Sequence, residues 1–106
     1  MNGYAFHPKA RADLSDIWEY IQIDSIDAAD RVVNEILARI NQLVAFPQQG
    51  FRRPEITSLP LRFVIVRRYL IVYAPDHDPL WVIAVLHGMH SPRVLAAILR
   101  ERTSTA

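Results

Sequence analysis

Cysteine is absent from this chain of 106 residues. That excludes disulfides, thiolate metal sites and thiol catalysis together. Lysine is nearly absent as well: of twelve basic residues, only Lys9 is not an arginine. No segment approaches the ~20 apolar residues of a membrane span. The stretch from Met1 to Lys9 lacks a basic region followed by an apolar run, so no secretory signal is expected. Internal repeats and low-complexity stretches are also missing. The expectation is a soluble, cytoplasmic protein with no membrane partner.

What is present is hydrophobic residues, at 51%. A chain of about 100 residues can bury one core without disulfide or metal staples. A single domain over residues 1–106 is therefore expected. The net charge of +1 hides an asymmetry. Residues 1–50 carry four bases and seven acids, net −3, whereas residues 51–106 carry eight bases, all arginine, and four acids, net +4. Arginine forms planar two-pronged hydrogen bonds to phosphate and carboxylate. The C-terminal half thus suits nucleic acid or an acidic protein surface, or is ordinary solvated charge.

Tyr4-Ala5-Phe6 reads as a short strand, and Pro8 fits the first turn of a helix, where its missing N–H costs nothing. Ala10, Leu14, Ile17, Trp18 and Ile21 then recur at spacings of three and four, the signature of one helical face. Ser25 is a good N-cap, with Asp27 in the following first turn. A second helix carries Ala29, Val32, Val33, Ile36, Leu37, Ile40, Leu43 and Val44 on its apolar stripe and ends at Pro47 and Gly50. The short link makes the two helices an antiparallel hairpin.

Residues 46–60 read as a loop. Leu61–Val66, Tyr69–Ala74 and Leu80–Leu86 read as strands, with Arg67-Arg68 as one turn and residues 75–79 as the next. The strands are nearly all apolar, so at least part of the sheet is covered on both faces. Ser91-Pro92 can start a last short helix with Val94, Leu95, Ile98 and Leu99 as its apolar side. The order β-α-α-β-β-β-α predicts an α+β fold with a helical hairpin on an antiparallel sheet.

That order, with particular residues, resembles the RelE/ParE family of toxins from type II toxin–antitoxin systems. The matching stretches are Phe6-His7-Pro8-Lys9-Ala10-Arg11-Ala12-Asp13-Leu14 running into Ile17-Trp18-Glu19-Tyr20-Ile21; Leu43, Phe46-Pro47 and Gly50; Leu61-Arg62 and Tyr69-Leu70-Ile71-Val72-Tyr73; and Val82 to Gly88 followed by Arg93. The long hairpin helices, the His87-Gly88 pair and Arg93 resemble the ParE-like branch. Met89-His90 stands where ParE-like proteins often carry arginine. The ParE-like resemblance implies a toxin that poisons DNA gyrase without known nuclease chemistry, and a cognate ParD-like antitoxin wrapped over the helices and sheet. The RelE-like branch implies ribosome-dependent cleavage of messenger RNA. A third possibility is a module that binds antitoxin without being toxic.

Cleavage of RNA needs a base, an acid and cations for the transition-state charge. The nuclease candidates are Arg62, His87 and Arg93. The usual terminal tyrosine or lysine-rich loop of the RelE-like pattern is missing, and His87 also fits a strand-end histidine bonded to backbone. For a target-binding surface the candidates are Arg62, Arg68, His87, His90 and Arg93. Arg62 stands inside an apolar strand, where a charge is expected to point to the open face or to pair with an acid. For antitoxin contact the candidates are Trp18, Tyr20, Leu37 and Val64, although Trp18, Tyr73 and Trp81 read first as core aromatics. His87-x-x-His90 lacks the third ligand a catalytic zinc needs, so neither a metal nor any other cofactor is expected.

Overall fold

The chain's punctuation residues set its element boundaries. The computed structural model describes residues 3–104. It runs through strand β1 (Tyr4–Phe6), helix α1 (Pro8–Gln22), helix α2 (Ile26–Ala45) and a 3-10 turn (Pro47–Gln49). Strands β2 (Arg62–Val66), β3 (Tyr69–Ala74) and β4 (Leu80–His87) follow, then helix α3 (Pro92–Thr103). Each helix start has a side-chain acceptor. His7 Nδ1 accepts from the Lys9 N–H at 3.0 Å, Ser25 Oγ from Ala28 at 3.1 Å and Ser91 Oγ from Val94 at 3.3 Å. These satisfy amides that have no partner within the helix.

The element order is the one read from the sequence, and the fold is α+β. The sheet order is β1-β4-β3-β2. Strands β2, β3 and β4 pair antiparallel in succession. Strand β1 adds a parallel edge on β4, with Tyr4 opposite Leu80 and Phe6 opposite Val82, so the whole sheet is mixed. Alternation of side chains carries no information on strand direction, which is why this edge was not legible. Strand β2 begins one residue later than expected, at Arg62, and β4 ends one later, at His87.

Both faces of the sheet are covered. On one face Ala10, Ile17, Val32, Ile36, Ile40 and Leu43 of the hairpin pack on Val64, Ile71, Tyr73, Val82 and Val85. On the other, Leu95 and Leu99 of α3, together with Ile56 and Leu61, cover Phe63, Leu70, Val72, Ile83 and Leu86. This two-sided burial is what the continuous apolar strands encode. Each fully buried aliphatic side chain contributes about 1.5–3 kcal/mol.

Residues 46–60 are more ordered than a loop reading implies. Phe51 bridges Phe63 with N–O distances of 2.9 and 2.8 Å. The buried Tyr73 hydroxyl donates to the Pro47 carbonyl at 2.7 Å and accepts from the Gly50 N–H at 2.9 Å. Arg62 Nη1 donates to the Gly50 carbonyl at 2.7 Å. Arg62 therefore neither faces an open surface nor pairs with an acid; it fastens the crossing chain to the edge of the sheet. Gly50 is required here for space, because a Cβ would lie 2.5 Å from the Tyr73 hydroxyl.

Two aromatic assignments change. Trp18 is not a core tryptophan: it is half-buried, and its Nε1–H donates to Asp30 Oδ1 at 2.8 Å, tying α1 to α2. Trp81 is also only half-buried, at the edge of the α3-side core. Tyr73 is fully buried, as its strand position suggests.

A long-range ion pair ties α3 to the other elements. Arg102 Nη1 and Nη2 grip Asp13 Oδ2 and Oδ1 at 2.6 and 3.0 Å, and Asp13 Oδ2 also accepts from the Val85 N–H at 3.0 Å. The two side chains are only 9% and 12% exposed. One carboxylate thus links α1, β4 and α3.

Candidate functional site

The β2–β3 and β4–α3 turns meet at one end of the sheet. Arg67 and Arg68 form the β2–β3 turn, with Arg67 at φ 55°. This left-handed conformation is uncommon for a residue with a side chain. Arg67 is held there by Glu35 of α2, through Nε at 3.0 Å and Nη2 at 2.5 Å. The same contact lowers the Glu35 pKa and raises that of Arg67, chiefly through the side-chain hydrogen bond. Both groups stay charged at neutral pH.

Tyr69 pairs with His87 across the β3–β4 ladder, with their rings edge to face at 5.7 Å. The chain then turns tightly. Gly88 N–H donates to the Arg68 carbonyl at 2.7 Å, and Met89 N–H donates to His87 Nδ1 at 3.1 Å. His90 Nδ1 lies 2.8 Å from the His87 carbonyl. These bonds set opposite tautomers in the neutral rings: His87 carries its proton on Nε2, and His90 on Nδ1. His87 is thus bonded to backbone, as a strand-end histidine would be.

Between this turn and the loop after β2's bridge partner lies a groove of about 550 Å³. Its lining includes Arg53, Arg67, Arg68, His87 and His90. Two apolar side chains stand at its surface, Ile65 at 62% and Met89 at 86% exposed. Arg53 is paired with Glu55 at 2.6 Å, whose pKa is lowered mainly by that hydrogen bond. Arg68 makes no ion pair among the described residues. A second groove, of about 370 Å³, lies on the hairpin side and includes Asp16, Ile17 and Tyr20. Arg68, Tyr69 and His87 line both, so this strand end forms the ridge between them.

The groove brings together Arg68, His87 and His90 of the residues singled out from sequence. Arg93 is exposed in the first turn of α3, next to the groove residue Pro92. Arg62 is elsewhere, at the opposite end of β2. Among the antitoxin candidates, Tyr20 is 76% exposed in the hairpin-side groove. Trp18 and Leu37 are half-buried on α1 and α2. Val64 is 4% exposed under the hairpin, so the free chain does not present it at its surface. Sequence reasoning passed over Ile65 and Tyr69 as groove residues, and Asp13 with Arg102 as a pair. A pair 89 residues apart leaves no local signal. Met89 did have one: a large apolar side chain in a turn between Gly88 and Ser91.

No group of three His, Asp or Glu side chains among the described residues is placed to hold a metal ion. None of the described helices is long and apolar enough to cross a membrane.

The family model described as ParE toxin of type II toxin-antitoxin system, parDE, matches residues 4–92. The chain belongs to the ParE toxin family. The match takes in both helices of the hairpin and all four strands, and stops at the first residue of α3. No curated protein matches the chain. As a ParE-family toxin of a type II system, it is one half of a pair whose other half is an antitoxin.

Proposed function

We propose that this ParE-family chain acts in the cytoplasm as a poison of DNA gyrase, by binding and not by cutting RNA, and that a ParD-like antitoxin neutralises it. The observation that supports binding over cleavage is the separation of the nuclease candidates. Arg62 lies opposite Tyr73 and His87 opposite Tyr69, at opposite ends of β3. Four strand steps at ~3.3 Å each separate them by about 13 Å along the sheet, and the two inter-strand spacings of ~4.8 Å from β2 to β4 add to that. A cation that stabilises the transition-state charge must sit within roughly 3 Å of the charged oxygen, in the same site as the proton-transfer groups. Arg62 is in addition committed to the Gly50 carbonyl.

The groove suits a protein target. Ile65 and Met89 supply its exposed apolar side chains, and of the arginines beside them Arg53 and Arg67 are paired with acids while Arg68 makes no ion pair among the described residues. Apolar anchors inside a charged rim are the usual anatomy of a protein interface, and the charge favours an acidic partner surface. Arg68 and Arg93, both exposed, extend the positive field. The hairpin-side groove with Tyr20 is the surface assigned to the antitoxin.

The test is pulse-labelling of DNA and protein synthesis in bacteria after induction of this chain alone, followed by supercoiling assays with purified gyrase. DNA synthesis should fall first, and the chain should block supercoiling. Protein synthesis falling first, with cleaved messenger RNA, would refute the reading. One feature favours the nuclease alternative: His87 and His90 share the groove with opposite tautomers, one ring presenting a donor and the other an acceptor. His87→Ala separates the two, since it abolishes cleavage by a nuclease but need not abolish gyrase poisoning.

A further inference from the structure

A cavity of about 430 Å³ opens on the α3 face, at the end of the sheet remote from the groove. Leu59, Leu61, Ala74, Trp81 and Ile83 give it apolar walls. Its size and lining are those of a small-molecule site, an apolar cleft with a few polar groups. Two of its polar features are negative. In the β3–β4 turn, Asp76 lines the cavity, is exposed and makes no ion pair among the described residues. At the end of α3, Thr103 and the C-cap Ser104 line it as well. The last carbonyls of a helix have no partner within it and carry the negative end of its dipole. Helices α1 and α2 close their last turns with a capping N–H, from Ile23 to the Ile21 carbonyl and from Phe46 to the Gln42 carbonyl. No N–H does this for α3 among the described residues. The Thr103 hydroxyl donates one turn further back, to the Leu99 carbonyl at 2.7 Å.

The nearby bases leave this negative charge in place. Arg102 lines the cavity, but its guanidinium is held by Asp13 and the Ile83 carbonyl. Lys9 pairs with Glu101, and Arg100, exposed in the last turn of α3, does not line the cavity. Two histidines complete the polar lining. His7 Nδ1 accepts from the Lys9 N–H, as only a neutral ring can, and the ring meets that of Trp81 edge to face at 6.2 Å. His77 is exposed beside Asp76, and Asp78 follows in the same turn as a further exposed carboxylate. We propose that this cavity binds a small organic cation, a primary ammonium on an aromatic or branched apolar body. The ammonium donates to the Asp76 carboxylate and to the open carbonyls of α3, and the body lies against Trp81 and Ile83. Attraction of opposite charges favours the cation over a neutral molecule of the same shape, and an anion is repelled by the carboxylate and the helix end alike. By closing the last turn of α3, the bound cation holds that helix on the sheet.

The test titrates the full 15N-labelled chain with phenethylamine, with ethylbenzene as the neutral control and phenylacetate as the anionic one. A buffer at about pH 8 keeps the amine charged and lies above the ordinary histidine range. Phenethylamine should shift the Trp81 indole N–H and the Ile83 and Thr103 amides saturably, with a dissociation constant of about 1 mM or below, as suits so small a molecule. Ethylbenzene, which lacks the ammonium, should bind about tenfold more weakly or worse. Phenylacetate should give no saturable response. Asp76→Asn changes an exposed turn residue. It should weaken phenethylamine about threefold or more, leave ethylbenzene binding unchanged and leave amides remote from the cavity unshifted. The proposal is overturned by any of three results. They are no saturable local shift with phenethylamine at about 5 mM, either control binding as tightly as phenethylamine, or undiminished phenethylamine affinity in the Asp76→Asn chain.

Discussion

Replacing Asp13 with alanine should be among the most damaging single changes to this chain. The carboxylate holds three N–H groups: two on Arg102 and the amide of Val85. With Asp13 gone, Arg102 keeps only the Ile83 carbonyl at 3.2 Å, in a position where its side chain is 9% exposed. Stranding a buried charge in this way costs about 3–5 kcal/mol, and some residual exposure places Asp13→Ala near 3 kcal/mol. That is a large fraction of the roughly 5–15 kcal/mol by which small domains are stable. With a urea slope of about 1.5 kcal/mol per molar, the midpoint should drop by about 2 M. The amides of α3 should exchange faster with deuterium than those of β3 and β4, because the lost bonds are the ones that anchor that helix. The double variant Asp13→Leu with Arg102→Met should recover most of the midpoint, since apolar replacement removes the desolvation cost of both charges. By contrast, Glu35→Ala, which breaks the exposed pair with Arg67, should leave the midpoint nearly unchanged. The reasoning fails if Asp13→Ala shifts the midpoint by less than about 0.5 M, or if the double variant is no more stable than the single one.

Tyr73→Phe removes a donor and an acceptor from backbone groups of Pro47 and Gly50. It should cost about 2–3 kcal/mol in denaturant titration. Burial pushes the Tyr73 pKa up, against the opposing Gly50 bond and the nearby Arg62 and Arg39. A raised folded pKa means that this contribution is intact below about pH 10 and is lost as pH climbs through the folded value. Wild-type stability should therefore fall in that alkaline window with a component absent from Tyr73→Phe. Gly50→Ala should destabilise the fold by displacing the Tyr73 hydroxyl, with loss of Tyr73 burial in near-ultraviolet circular dichroism as the readout. On the acid side, the lowered pKa values of Glu35, Glu55 and Glu101 all stem first from hydrogen bonds to basic partners, Arg67, Arg53 and Lys9. What these pairs contribute is present above the ordinary glutamate pKa and is lost as pH falls through the folded values, so acid titration of each alanine variant should show a shallower decline. Arg68→Glu and Met89→Asp alter exposed groove residues. Each should relieve growth arrest on induction while leaving the thermal midpoint within about 2 °C of wild type, and full toxicity in both would exclude the groove as the target-facing surface.

The sequence by itself determined the element order, the helical hairpin on one face of the sheet and that at least part of the sheet is covered on both. Ser25 and Ser91 cap where they stand because a hydroxyl can reach an amide three residues on, a purely local matter. The apolar stripe of α2 and the continuous apolar strands are likewise local, and periodicity reads them directly. Family membership was legible for the same reason: an ordered set of short motifs survives without any knowledge of contacts. Tertiary structure alone decided which distant residues meet. Arg62 looks like an anomaly in an apolar strand until the chain at Gly50 crosses beside it and offers a carbonyl. Arg68, His87 and His90 share a groove because β3 and β4 pair in a register that sets Tyr69 opposite His87, whereas Arg62 and His87 fall at opposite ends of the same sheet. Val64 and Ile65 are neighbours of like hydrophobicity, yet one is sealed under the hairpin at 4% exposure and the other stands in the groove at 62%. Successive strand residues point to opposite faces, and only tertiary packing determines how far along each face the cover extends: Phe63, on the same face as Ile65, is fully buried.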